Sequence, residues 1–165
     1  MIKLIRLDER LIHGQVAIKW SRHTGVDRIV VLNKEAAEND IIQKSLMMAA
    51  PTTAKVAIKD IESGISLLND PRCGNLKILV IVSDINDLIK VLENVKGIPL
   101  VNIGNYGRIA PKQDGIQRAT YRRNLYAYES EVELFKKVIS LVDDCNYQTI
   151  PEDSPESLAH VLGIK

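Results

Sequence analysis

Asp8, Glu9, Arg10, His13 and Gly14 follow directly on an apolar run in MIKLIRLDERLIHGQV, and this mixture suits phosphoryl chemistry. A neutral imidazole nitrogen is nucleophilic near neutral pH, because the ordinary pKa of histidine is about 6.5, so it takes a phosphoryl group covalently without a separate base. Arg10 offers a planar fork that matches phosphoryl oxygens. Gly14 leaves room for close approach of a donor, and Asp8 is placed to orient Arg10 or the ring. A helix starting here exposes the unpaired N–H groups of Gly14, Gln15 and Val16, a cradle for an anion beside the imidazole. The same residues are equally compatible with a histidine that only caps or packs the first helix and an arginine that is merely solvated.

Other chemistries are less well served. His23 and His160 stand far from His13 and read as surface or packing residues on helices, so a metal centre lacks donors and no metal or other cofactor is expected. Cys73 and Cys145 have no CxxC or Cys/His spacing and no nearby histidine; they read as buried thiols in a reducing cytosol. Neither GxGxxG nor a P-loop lysine pattern follows the first strand, GNYG at Gly104 to Gly107 reads equally as a tight turn, and GxSxG is absent. Arg108, Lys112, Arg118, Arg122 and Arg123, interleaved with Tyr106 and Tyr121, form a basic cluster. It reads as a phosphate-facing or docking loop rather than an RNA surface.

The elements that must position His13 alternate in kind. Uniformly apolar runs at Ile2 to Leu7, Arg28 to Leu32, Ala54 to Ile58, Leu76 to Val82 and Pro99 to Ile103 predict central strands covered on both faces. Helical spacing links them: Val16, Ala17 and Trp20; Ile41, Ile42, Leu46 and Met47; Ile85, Leu88, Ile89 and Leu92. Asp60 and Asp84 are candidate N-caps, and Gly25 and Gly97 candidate closing residues. From Gly104 to Arg123 the rhythm breaks into a long functional loop, followed by a short LYAY run, a helix from Glu129 to Asp144, a strand from Tyr147 to Ile150 and a helix from Pro155 to Leu162. Repeated βαβ units predict an α/β fold, one domain over residues 1–165, with a mostly parallel central sheet and helices on both faces. In such a fold ligands bind at the edge where strands lead into helices, which is where His13 falls.

The chain's 165 residues suit one core, and 22 Lys plus Arg against 21 Asp plus Glu leave no excess charge to argue for nucleic acid or an anionic membrane. The N-terminal run contains Lys3 and Arg6, and no apolar stretch approaches the roughly 20 residues that cross a bilayer, so a cytoplasmic protein is expected.

RLDERLIHGQV with Trp20 after it closely resembles the active-site signature of the IIB subunits of the mannose/fructose/sorbose family of the sugar phosphotransferase system. The resemblance continues through RIVVLNKEAAENDIIQKSLMMAAP, the strand ending in VNIGN and the helix ESEVELFKKVISLV. It implies a phosphotransferase that accepts a phosphoryl group from a IIA protein on Nδ1 of His13. The group then passes to a sugar at the membrane subunits IIC and IID, with this chain associated peripherally and, by analogy, dimeric. By the same resemblance Arg10 stabilises the transferring phosphoryl, Asp8 is its acidic neighbour, and Gln15 lines the first helical turn. A regulatory protein that kept the fold, or an RNA- or small-ligand-binding domain using the basic loop, are the competing readings. Binding that survived loss of His13 but fell on neutralising Arg122 and Arg123 would favour the latter.

Overall fold

Runs of Val, Ile and Leu form the centre of the molecule, because branched apolar side chains fit a pleated surface that is covered on both sides. In the computed structural model, which describes residues 1–164, the chain runs β1 (Ile2–Asp8), α1 (Gly14–Thr24), β2 (Arg28–Leu32), α2 (Lys34–Glu38), α3 (Asp40–Ala49), β3 (Lys55–Lys59) and α4 (Ile61–Leu68). It continues through a 3-10 turn at Pro71–Cys73, β4 (Ile78–Val82), α5 (Ile85–Asn94), β5 (Val101–Asn105), β6 (Ala119–Arg122), β7 (Leu125–Ala127), α6 (Glu129–Ser140), β8 (Cys145–Tyr147), β9 (Glu156–Ser157) and α7 (Leu158–Val161).

The main sheet has the order β3-β2-β4-β1-β5-β8-β9, parallel throughout except for β9, which pairs antiparallel with β8. Strand side chains alternate between two cores. Leu4, Ile29, Val31, Leu79 and Ile81 pack with Ala17 and Trp20 of α1, Ala36 of α2 and Leu46 of α3. Ile5, Leu7, Val30, Val80 and Val82 pack with Leu88 of α5, Phe135 of α6 and Leu158 of α7. The expected α/β architecture, with helices on both faces, is therefore present.

From β1 the chain crosses through α1 to β2 on one face, whereas β4 and β5 lead to helices on the other face. Loops that diverge in this way leave a crevice at the carboxyl end of β1, the usual ligand position in an open α/β sheet. Asp8, Glu9, Arg10 and His13 stand there.

Several boundaries differ from the sequence expectation. Asp60 and Asp84 do cap α4 and α5, accepting from the Ser63 and Asp87 N–H groups, and Gly25 closes α1 with φ 65°. Gly97 also has positive φ, but α5 has already ended at Asn94, so Gly97 serves the connection and not the helix. β3 is an edge strand with partly exposed residues, not a covered one. On α3, Ile41 and Met47 are exposed and Leu46 carries the packing. The helix expected to reach Asp144 stops at Ser140, and the strand expected from Tyr147 to Ile150 is Cys145–Tyr147. The start of the expected last helix is instead β9, held by Asn146 and Tyr147 of β8. The loop expected from 104 to 123 contains β6, which forms a hairpin with β7 around Arg123 and Asn124.

Candidate functional site

His13 is the N-cap of α1, extended at φ −153° and ψ 140°, and its side chain caps nothing. The first amides of the helix thus lack a side-chain partner from the N-cap. Two positive φ values bend the chain into this position, 59° at Leu11 and 46° at Gly14. Glycine meets that requirement without strain, while Leu11 holds an uncommon conformation for a branched side chain, as happens where surrounding structure over-determines a functional loop. A Cβ at Gly14 would meet nothing within 4 Å, so the chain is open at this position.

The imidazole is held from two sides. Nδ1 lies 2.9 Å from the Leu11 carbonyl oxygen, and Nε2 lies 3.9 Å from Oδ2 of Asp8. In a neutral ring the first contact places a proton on Nδ1, which donates to Leu11; the carboxylate favours a proton on Nε2. Asp8 is 1% exposed and does three things: Oδ2 accepts from Nε and Nη2 of Arg6 at 3.3 and 3.0 Å, Oδ1 accepts from the Arg10 backbone N–H at 3.0 Å, and Oδ2 faces the ring. Asp8 therefore orients the Arg10 backbone and the imidazole, while its side-chain ion pair is with Arg6.

Arg6 interrupts the apolar run, and besides Asp8 its partners come from far along the chain. It points to the same face of β1 as Asp8, 2% exposed, with Nη1 donating to Oδ1 of Asn102 and to the Gln148 carbonyl at 3.1 Å. Asn102 in turn donates to Oδ1 of Asn146 at 2.8 Å. In the parallel register Arg6 is paired with Asn102 and Asn102 with Asn146, so this polar row crosses three strands at one level. The Arg6 guanidinium carbon is 5.2 Å from the centre of the Trp20 ring. Burial draws the Arg6 pKa down, opposed by the adjacent Asp8 carboxylate. Gly104 gives the guanidinium its space, since a Cβ there would collide with it. Gly104→Ala is expected to lower stability by about 2–3 kcal/mol through overpacking, measurable by urea denaturation.

The Arg10 side chain is exposed and makes no side-chain hydrogen bond or ion pair among the described residues. It lines a cleft of about 580 Å³ together with Arg108, Arg123, Asn124 and Thr149. The basic cluster read from the sequence thus divides. Arg108 and Arg123 join Arg10; Lys112 lines a separate hollow that Arg108 also borders. Arg122 pairs with Glu156 at 2.8 Å. Arg118 is a buttress, with Nε 2.7 Å from Oε1 of Glu131 and its guanidinium 4.4 Å from the centre of the Tyr128 ring. Tyr106 is buried and donates its hydroxyl to Glu131. Burial opposes ionisation of Glu131, but Arg118, the Tyr106 hydroxyl and the Tyr128 N–H together hold its pKa below the usual value.

Gln15 is exposed, and its side chain lines a groove shared with Lys19, Arg22 and His23, apart from the Arg10 cleft. His23 is exposed, edge-on to Trp20 at 5.8 Å, and His160 is exposed on α7. Cys73 is buried and Cys145 partly buried, both free thiols; burial pushes the Cys145 thiol up to about 12. Among the described residues no cluster of three or more His, Cys, Asp or Glu is arranged to hold a metal ion, and no helix is long and apolar enough to cross a membrane.

Comparison with known proteins places these features in context. The model of the PTS system sorbose subfamily IIB component matches residues 2–165. A probable phosphotransferase enzyme IIB component of Streptococcus pyogenes serotype M6 is 35% identical over 163 residues, covering 98% of this chain and 99% of that protein. The mannose-specific EIIAB component of Escherichia coli K12 is 30% identical over 138 residues, 84% of this chain but 41% of that longer one. In three dimensions the IIBSor domain of the sorbose permease from Klebsiella pneumoniae superposes with a TM-score of 0.87 over 99% of this chain and 96% of that one, at 21% identity, and shares its fold.

Proposed function

Since the chain belongs to the sorbose-subfamily IIB components of the phosphotransferase system, which are phosphotransferases, we propose that His13 is its phosphoryl acceptor. The donor is a IIA protein, and the phosphoryl group is delivered to a sugar at IIC and IID membrane subunits, with this chain working beside them in the cytoplasm. The observation that carries the reading is the placement of His13: at the N-terminus of α1, at the carboxyl end of β1, with a buried carboxylate facing Nε2.

Transfer breaks the P–N bond on the donor and forms one on His13, so the accepting nitrogen must present a lone pair. For acceptance on Nδ1, the atom implied by the family resemblance, the ring proton moves to Nε2 and the contact with the Leu11 carbonyl is given up. Asp8, 3.9 Å from Nε2, faces the nitrogen that carries the proton in that tautomer. The exposed first amides of α1 and the free guanidinium of Arg10 then balance the phosphoryl oxygens. A loose transfer between two nitrogens needs this positioning and charge stabilisation more than acid–base chemistry.

The test is intact mass after incubation with phosphoenolpyruvate, the general phosphotransferase proteins and a IIA protein, with an acid-treated aliquot. One acid-labile phosphoryl group is expected; no uptake with several IIA partners overturns the reading. Arg10→Lys is expected to slow acceptance by about 10- to 100-fold, since a point charge replaces a bidentate fork. A rate in quench-flow equal to wild type would remove Arg10 from the proposed machinery.

A further inference from the structure

Glu9 is the one residue of the DER triplet to which neither the sequence nor the proposed chemistry gives a task. Its carboxylate gathers four consecutive backbone N–H groups: Gly107 and Ala110 donate to Oε1 at 3.0 and 2.9 Å, Arg108 and Ile109 to Oε2, each at 3.1 Å. Carbonyls of the same segment are taken by Arg118. Nη1 donates to the carbonyls of Gly107 and Ala110 at 3.4 and 3.0 Å, and Nη2 to Pro111 at 2.7 Å. Segment 107–111 therefore runs between an anion that collects its donors and a cation that collects its acceptors. Arg118 is itself fixed by Glu131 at the start of α6.

The segment carries Arg108 into the cleft that Arg10 lines. The guanidinium of Arg108 donates to the Arg123 carbonyl at 2.7 Å and lies 5.4 Å from the centre of the Tyr126 ring, lining the cleft with Arg10 and Arg123. Two carboxylates also line that cleft: Glu156 is matched by Arg122, and Oδ2 of Asp153 accepts from the Ile150 N–H at 3.4 Å, so three arginines there face one carboxylate without an ion-pair partner. A guanidinium on an exposed loop loses its value for a transferring phosphoryl group if the loop wanders, because stabilisation of developing charge depends on donors fixed in advance.

We propose that Glu9 is a positioning residue for phosphoryl transfer: by clamping the amides of 107–110 it holds Arg108 beside Arg10, and Arg108 is a further phosphoryl-binding residue of the crevice. This rests on the reading that His13 accepts the phosphoryl group. It adds to that reading a functional connection between the end of β1 and a loop about 100 residues later, carried by backbone contacts.

The experiment is a double-variant cycle on the rate of phosphoryl acceptance by the full chain, using a phosphorylated IIA protein under single-turnover conditions and phosphoramidate as a small donor in parallel. Arg108→Gln is expected to reduce the saturated rate by about tenfold or more, as for removal of one fixed donor. Glu9→Gln, which keeps the shape but turns one acceptor into a donor facing N–H groups, is expected to match it in the wild-type background. In the Arg108→Gln background it should change the rate by less than about twofold, because residues acting as one unit are not additive. Glu9→Asp, which keeps the charge, should fall between Glu9→Gln and wild type. An equal loss from Glu9→Gln in both backgrounds, or wild-type rates in Arg108→Gln, overturns the proposal.

Should Glu9→Gln not fold, Glu9→Asp carries the same cycle, and hydrogen exchange on the wild-type chain tests the clamp directly: unprotected amides at 107–110 overturn it. Phosphoramidate separates the two levels of the argument. Wild-type chain that takes no phosphoryl group from either donor contradicts the assignment of His13, whereas normal uptake with an additive cycle contradicts only the role of Glu9.

Discussion

His13→Ala is expected to take up no acid-labile phosphoryl group from any IIA donor while folding like the wild type. The two halves of this expectation have separate physical sources. Chemically, alanine has no nucleophile, and no neighbouring group replaces it: the other histidines, His23 and His160, sit on the outer surfaces of α1 and α7. Structurally, little is lost. The ring is partly exposed, it contributes no cap to α1, and its only close hydrogen bond is to the Leu11 carbonyl. A single neutral hydrogen bond of this kind contributes about 1 kcal/mol, and in a chain of this size that lowers the melting temperature by about 2–4 °C. Intact mass gives the chemical result and a thermal melt the structural one. Residual phosphoryl on His13→Ala would move the acceptor to another histidine and dissolve the site as described.

The second large effect is on stability. Asp8→Asn is expected to lower it by about 3–5 kcal/mol, since removing one partner of a buried pair leaves the other charge uncompensated. Both partners are almost inaccessible, with side-chain exposures of 3% for Arg6 and 1% for Asp8. Against a total of about 5–15 kcal/mol for a domain, such a loss is large. Arg6→Leu combined with Asp8→Asn should regain part of it by removing the stranded cation. It should not regain all, because Asn102 and the Gln148 carbonyl then lose the donor they accept from. Urea denaturation of the single and double variants measures both. A loss below about 1 kcal/mol for Asp8→Asn would mean that water reaches the pair, as it does for surface ion pairs.

These two predictions mark the division between what the sequence discloses and what it conceals. The junction at His13 is legible because it depends on local features: an apolar strand, an abrupt change to polar residues, glycine, then helical spacing. Asp60, Asp84 and Gly25 are legible for the same reason, since a cap is decided by residues within one turn. Arg6 is not. Within IKLIRLD it interrupts an apolar strand; its counter-charge Asp8 is in the same stretch, but the acceptors for its remaining N–H groups lie at Asn102 and Gln148. No window of sequence contains both ends of that row. Glu9 is hidden likewise, because its partners are main-chain amides, which carry no signature of residue type.

The later part of the chain shows a different cause of error. Tyrosine, arginine and glycine between Gly104 and Arg123 suggest a loop by composition, and the hairpin of β6 and β7 turns at Arg123 and Asn124 without the Asn-Gly or Asp-Gly pair that announces a tight turn. At Glu156 and Ser157 two residues are too few to show a period, and their strand character is conferred by pairing with β8. Arginines within one cluster also take unlike roles. Spacing cannot say that Arg118 will be consumed by Glu131 while Arg10 stays free, because that depends on which tertiary neighbour each one meets.

Trp20 is the only tryptophan in the chain. It is buried on the inner side of α1, its indole N–H donating to the Thr149 carbonyl at 2.9 Å, with Arg6 on its face and His23 at its edge. The site therefore contains its own optical reporter. An indole's emission follows the local electric field, and with excitation beyond the tyrosine absorption it comes here from one ring, 5.2 Å from the guanidinium carbon of the cation paired with Asp8. Charge arriving at His13 is expected to reach that ring through Asp8 and Arg6, and a change in ultraviolet fluorescence of the unlabelled protein on phosphorylation would report it.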